Sequence, residues 1–397
     1  MVKFLHCADL HLDSPFVSKQ HLSPSILKDV ENSAYESFKN IVDVALREGV
    51  DFVLISGDLF DQRNRTLKAE IFLKEEFERL RKEQIFVYIV HGNHDPLSER
   101  ITSEWPDNVT VFSNNVETYQ AITKTGEHVH IHGFSYETLS SYENKIDDYP
   151  LNEDRQVVHI GMLHGTYSKS GVSDRYTEFR IEDLNKKLYH YWALGHIHKR
   201  EQLSDLPEIH YPGNIQGRHF KEQGEKGCLI VEGDHVKLET RFVPTQFIRF
   251  ESATIDITDI TQQGIYETIQ AFKQSVRGLG RSFYRLQLNV PGDERIDYQT
   301  LEQVKAMIVD FEENEQHFVM IDTLDVNYTE LETHSIRREF SDELLQQDDI
   351  YESALSDLYM NPKASKYLDY YMKHDREALI ERAEAMIQAE LKGAENR

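Results

Sequence analysis

Five short islands of Asp, His and Asn, each directly after or at the end of an apolar run, constrain this chain more than any other feature. They read Asp9-Leu10-His11, Gly57-Asp58-Leu59-Phe60-Asp61, Gly92-Asn93-His94-Asp95, Gly161-Met162-Leu163-His164-Gly165 and Gly195-His196-Ile197-His198. Every island offers hard oxygen or imidazole donors and none offers a thiolate. Such a set suits Mn²⁺, Mg²⁺, Fe²⁺ or Zn²⁺ holding a phosphate ester. Any one of these residues alone is commonly a hydrogen-bonded structural group or a turn cap. Five islands of this kind, each after a strand-like run, point jointly to a two-metal site.

The runs leading into the islands alternate with helical periodicity. Residues 2–8 and 51–56 are apolar strands, and 85–90 is the next. Between them, Ile26, Val30, Tyr35, Phe38, Ile41, Val42, Ala45 and Leu46 recur at helical spacing, and 67–81 is helical again. This β-α-β-α-β order predicts parallel strands with the islands at their carboxyl ends, where loops of open α/β sheets converge on one crevice. Asp9 and His11 flank one residue and can face the same side. Gly57 lets the backbone turn tightly before Asp58, whose two oxygens can bridge two cations. Asn93 adds a neutral oxygen, and His164, His196 and His198 add imidazole nitrogens. His196 and His198 can reach different metals from one extended loop.

At 397 residues the chain has room for two or three domains. It carries no run of roughly 18 to 20 apolar residues that would span a membrane. Met1 to His6 lacks a signal-peptide plan, and Cys7 and Cys228 read as buried reduced thiols, so a cytoplasmic location is expected. The formal net charge of −25 argues against tight autonomous binding of nucleic acid. It favours a small phosphate ester, or a partner that brings the basic surface.

After Ile101 the pattern becomes β-rich, and a boundary falls near Pro244. The expected domains are 1–245, holding the islands; 246–332, a small α+β unit; and 333–397, a helical region whose segment 339–357 is rich in acids.

The ordered islands resemble the calcineurin-like metallophosphoesterase superfamily over roughly residues 1–240. Cys7-Ala8-Asp9-Leu10-His11-Leu12-Asp13, Ser56-Gly57-Asp58-Leu59-Phe60-Asp61 and Val90-His91-Gly92-Asn93-His94-Asp95 resemble SbcD-type DNA-repair exonucleases, most closely the shorter YhaO-like branch. The resemblance implies an α/β four-layer sandwich, two central β-sheets flanked by helices, with a small α+β capping domain and a helical C-terminal tail. It implies that Asp9, His11 and His198 bind one metal, that Asn93, His164 and His196 bind the other, and that Asp58 bridges. His94 would touch the scissile phosphate and help protonate the leaving alkoxide, with Asp95 orienting its imidazole. Asp61 stands where many relatives carry a second His, which puts it on the substrate side. Gln216-Gly217-Arg218-His219 resembles a family loop behind the last ligands. Arg218 there either contacts substrate phosphate or is a salt-bridged loop arginine.

The leading expectation is a Mn²⁺-dependent DNA exonuclease or endonuclease in DNA repair, homodimeric, whose acidic tail docks on an SbcC-like ATPase. The alternatives are a phosphodiesterase or phosphatase on small nucleotides or phosphate esters, and a non-catalytic scaffold. Complete retention of the ligands and of His94 argues against the scaffold.

Overall fold

Apolar runs buried on both faces form the parallel strands that lead into the islands: β1 (Val2–Cys7), β2 (Phe52–Ser56) and β3 (Phe86–Val90). Such double burial is what a parallel sheet covered on both sides requires. The connecting helices are α1 (Pro24–Glu48) and α2 (Leu67–Lys82). α1 opens with Pro at its first position and closes on Gly49 at φ 63°. α2 is capped by the Thr66 side chain, which accepts from Ala69 N–H, and ends with Arg79, Arg81 and Lys82 against its negative pole. The computed structural model describes residues 1–14, 22–61, 66–98, 104–139, 145–168, 177–291, 295–309, 312 and 315–329. The chain divides into compact units Met1–Thr329 and Glu330–Arg397, and the expected helical tail lies outside the described residues.

The remaining strands follow as β4 (Val109–Val111), β5 (Glu117–Ile122), β6 (His128–Gly133), β7 (Val158–His164), β8 (Thr166–Tyr167), β9 (Glu178–Phe179), β10 (Tyr191–Gly195), β11 (Glu201–Asp205), β12 (Glu208–Tyr211), β13 (Gly227–Gly233) and β14 (Leu238–Pro244). β8 and β9 pair with each other, and the rest complete two six-stranded sheets, ordered β14-β13-β1-β2-β3-β4 and β11-β12-β10-β7-β6-β5. One apolar core lies between the first sheet and α1 and α2, around Phe38, Val53, Ile55 and Phe77. A second, with Phe4, Phe52, Val129, Ile160 and Tyr191, joins the two sheets face to face. A third, around Trp192, Tyr149 and Tyr189, is covered by the short helix α3 (Ile181–Asn185) and a 3₁₀ turn at Lys145–Asp148. The layers are therefore helix, sheet, sheet and a thin outer cover, the expected four-layer sandwich.

The segment expected as a small α+β unit is built β-α-β-α-β: β15 (Ile248–Asp256), α4 (Gln262–Arg277), β16 (Arg281–Pro291), α5 (Tyr298–Val309) and β17 (Val319–Thr329), its strands all parallel. α4 and α5 share a core with one face of this sheet. Phe250, Phe283 and Met320 at its base meet Ile26 and Val30 of α1 and Phe220. Among the described residues no helix is long and apolar enough to cross a membrane. Cys7 and Cys228 are free and buried, as expected.

His132 and His159 belong to the outer face of the second sheet, alternating with core-facing Ile131, Val158 and Ile160. His132 bonds Thr118 Oγ1 at 2.8 Å and His159 Nδ1 at 3.0 Å, and stacks on Tyr189. Burial, with neighbouring imidazoles adding to it, pushes His132 down to about 3 and His159 to about 4; Asp154 opposes the shift of His159. Unfolded histidine titrates near 6.5, so each binds a proton more readily unfolded than folded. Their contribution to stability is therefore intact above about pH 6.5 and drains as pH falls towards the folded values. For His132 the loss approaches about 1.4 kcal/mol per pH unit below 6.5. A His132→Gln variant is expected to unfold in urea with a shallower pH dependence between pH 6.5 and 4.5 than the wild type. Parallel profiles would show that His132 does not stay neutral in the fold.

Candidate metal centre

All five islands meet at one edge of the sandwich, because β1, β2, β3, β7 and β10 end there. Asp9 and His11 follow β1, Asp58 follows β2, Asn93 follows β3, His164 is the last residue of β7, and His196 and His198 follow β10. Their backbone is bent sharply. Asp9, His11, Asp58 and His196 sit at φ 53°, 45°, 53° and 104°, a region non-glycine residues avoid. Each such residue costs of order 1–3 kcal/mol, which the surrounding structure must hold. Asp9 N–H donates to Gly57 O and His11 N–H to Asp58 O, tying the first two islands together. Glycine is required beside them: a Cβ on Gly92 would overlap Asp58 Oδ1 and the His164 ring, and one on Gly57 would overlap the same ring.

The ligand atoms of Asp9, His11 and His198 lie within 4.8 Å of one another, and so do those of Asp58, His164 and His196. Asn93 Oδ1 is 3.0 Å from His164 Nε2 and 3.2 Å from His196 Nδ1. Asp58 lies between the groups, with Oδ2 3.4 Å from His164 Nε2 and 3.8 Å from His11 Nε2. The structure thus brings together all seven residues expected to bind metal.

Their chemistry fits divalent cations. Buried Asp58 Oδ2 and His11 Nδ1 make no hydrogen bond. His11 Nε2 and His198 Nε2 face each other at 3.1 Å, although His198 already uses Nδ1 on Glu222 Oε1 at 2.7 Å. His164 Nδ1 donates to Ser56 O at 3.0 Å, which aims its Nε2 into the cluster, 3.0 Å from Asn93 Oδ1. Imidazole nitrogens and carboxylate oxygens thus converge at separations that a shared cation would satisfy. The electrostatics agree. Burial raises the Asp9 carboxyl to about 6, against the pull of His198 and His164. Burial also works to raise Asp58, but His164, His11 and His94 outweigh it and hold that carboxyl far below the usual range. Burial pulls His164 down, yet the Asp58 carboxylate more than reverses this and keeps its imidazole protonated. His11 and His196 go the other way: burial pushes both down, His196 to about 3, so they present neutral imidazoles.

His94 is half-buried; its backbone N–H donates to Asp58 Oδ1 at 2.9 Å and its ring packs edge-on to His11 at 5.0 Å. Its imidazole, His11 and Asp61 form a third group with ligand atoms within 4.8 Å. One expectation is corrected here. Asp95 does not orient His94: its carboxylate accepts from Leu59 N–H, Gly92 N–H and the His91 ring, at 2.8, 2.8 and 2.9 Å. Directly after His94 in sequence, Asp95 turns back into the core and clamps the second and third islands together. Of the two readings of Arg218, the structure shows the ion pair. Its guanidinium bonds Glu222 Oε1 at 3.1 Å and Ser14 Oγ at 3.0 Å. Asp61 Oδ2 accepts from the same Ser14 hydroxyl at 2.9 Å. Glu222 and His91 escaped the sequence reading. The one signal for Glu222 was a carboxylate four residues after Arg218, a spacing too common to single it out.

Hard ligands at the carboxyl ends of parallel strands in a two-sheet sandwich define a metal-dependent phosphoester hydrolase. The family model for calcineurin-like phosphoesterases matches residues 2–200, and the chain belongs to that family. It is 37% identical to the uncharacterized metallophosphoesterase YhaO of Bacillus subtilis (strain 168), over 98% of both chains. It is also similar to the DNA double-strand break repair protein Mre11 of Methanocaldococcus jannaschii, 31% identical over 58% of this chain and 62% of that protein. Mre11 of Sulfolobus acidocaldarius is 23% identical over 72% of this chain and 75% of its own length.

Proposed function

We propose that this protein is a Mn²⁺-dependent nuclease that hydrolyses phosphodiester bonds in DNA, of the SbcD type, in DNA repair. The observation that carries the reading is the assembly of all seven ligands with His94 facing the same edge, in a chain similar to Mre11 proteins. Divalent cations at such a centre supply Lewis-acid charge and an acidified water for in-line attack on phosphorus. The chain's own residues do the rest. Asp9, His11 and His198 would hold one cation, Asn93, His164 and His196 the other, and Asp58 both. His94 stands outside the ligand set, where a proton passes to the leaving alkoxide. Asp61, within reach of His94 and His11, lines the substrate side. The segment 246–332 would cap the site and align the duplex.

The net charge of −25 leaves DNA affinity to a partner, and we propose an SbcC-like ATPase that docks on region 333–397. By the same resemblance to SbcD-type enzymes we propose homodimerisation through helices of the catalytic domain. The same charge favours a second reading, hydrolysis of small nucleotides or other phosphate esters. Purified protein with Mn²⁺, given labelled single- and double-stranded DNA and a chromogenic phosphodiester, separates the two. Cleavage of DNA, strengthened by the ATPase and weakened on deletion of 335–397, is the expected result. Turnover of the small ester alone, with or without the ATPase, would establish the second reading instead.

A further inference from the structure

Behind the last island lies a carboxylate that none of the expected roles uses. We propose that Glu222 is the positioning residue that sets His198 for cation binding; this rests on the metallophosphoesterase reading of the site. Glu222 ends a 3₁₀ turn, Phe220–Glu222, and is 7% exposed. Its four side-chain hydrogen bonds all come from donors. Oε1 receives His198 Nδ1–H at 2.7 Å and Arg218 Nη2 at 3.1 Å, and Oε2 receives Arg218 backbone N–H at 2.8 Å and Nε at 3.4 Å.

A carboxylate can only accept, so the 2.7 Å contact to Glu222 puts the His198 proton on Nδ1 and the Nε2 lone pair towards the cluster; Arg218 Nη2, 3.1 Å from the same Nδ1, then directs its hydrogen to Glu222 Oε1, also at 3.1 Å. The backbone of His198 is fixed as well, its carbonyl accepting from buried Lys226 Nζ at 2.8 Å. The turn that places Glu222 is itself close-packed: a Cβ on Gly217 would come within 2.7 Å of Glu222 O. Arg218 also bonds Ser14 Oγ at 3.0 Å, and Ser14 donates to Asp61 of the second island at 2.9 Å, contacts that do not bear on the His198–Glu222 bond.

Glutamine cannot replace this carboxylate. With donors on both oxygens, the amide NH₂ must oppose either Arg218 or His198, and against His198 it would favour the proton on Nε2, where the cation binds. Titration of the full-length, metal-free protein with Mn²⁺, followed by electron paramagnetic resonance of free Mn²⁺, tests the idea without recourse to activity. Glu222→Gln is expected to weaken one of two Mn²⁺ sites by about 10- to 100-fold while the other keeps its affinity. Arg218→Met, which leaves the His198–Glu222 bond in place, is expected to stay near the wild-type affinity at both. Glu222→Asp keeps the charge but withdraws it from His198, and is expected to weaken the same site; it serves if the Gln variant does not fold. Wild-type affinity in either Glu222 variant, or a loss in Arg218→Met equal to that in Glu222→Gln, would overturn the proposal. Failure of the wild type to bind Mn²⁺ would instead overturn the metal reading beneath it.

Discussion

A His94→Ala variant is expected to lose about 10²- to 10⁴-fold in kcat on DNA, the range for removal of a positioned proton donor. Its Mn²⁺ stoichiometry should not change. The backbone N–H that His94 donates to Asp58 Oδ1 survives the substitution, and the ring it deletes leaves both principal ligand groups complete. The loss should depend on the leaving group. A sugar alkoxide is a poor leaving group and needs its proton in the transition state, whereas a nitrophenolate departs nearly unaided. His94→Ala is thus expected to cost much less on a chromogenic nitrophenyl phosphodiester than on DNA. Equal losses on both substrates, with Mn²⁺ still bound, would mean that His94 holds the phosphate rather than passing a proton. Loss of Mn²⁺ together with activity would move it into the ligand set.

The islands were legible because physical chemistry writes them plainly. A doubly buried parallel strand must be a continuous apolar run, so the polar residue that ends it stands out, and parallel order sends all such ends to one edge. β5 and β11 were illegible for the opposite reason. Glu117–Ile122 and Glu201–Asp205 are polar edge strands, paired on one side only, and no apolar run marks them. Asp95 shows a subtler limit. Its neighbour in sequence is the ring it was expected to orient, but its backbone turns it towards Gly92, Leu59 and His91 instead. Glu222 lies 24 residues from His198 and becomes meaningful only once a 3₁₀ turn folds it back. Ligands are thus read from residue type and order, while the groups that aim them are chosen by tertiary packing that local sequence does not encode.

Asp58→Asn is the substitution expected to do most damage. Asp58 is 1% exposed and its carboxylate reaches both ligand groups, 3.4 Å from His164 Nε2 and 3.8 Å from His11 Nε2. An amide halves the acceptor capacity of that position and removes the charge that two cations share. If its NH₂ turned towards His94 N–H, two donors would collide; turned the other way, it would point at the imidazole nitrogens that should hold metal. Mn²⁺ binding should weaken at both sites together, unlike the one-site effect expected of Glu222→Gln. Hydrolysis should fall by at least about 10³-fold, since Lewis-acid charge is worth several kcal/mol and each 1.4 kcal/mol is tenfold. The fold should suffer less than the site. Breaking a buried ion pair costs about 3–5 kcal/mol when the surviving charge is stranded. Here the survivor is the His164 imidazole, which burial already favours in its neutral form and which can shed its proton once Asp58 is gone. Metal-free Asp58→Asn is therefore expected to remain folded, with near-wild-type circular dichroism and a modestly lower melting temperature. Parallel Mn²⁺ titrations provide the decisive reading: loss confined to one site would show that Asp58 serves a single cation and that the bridge lies elsewhere.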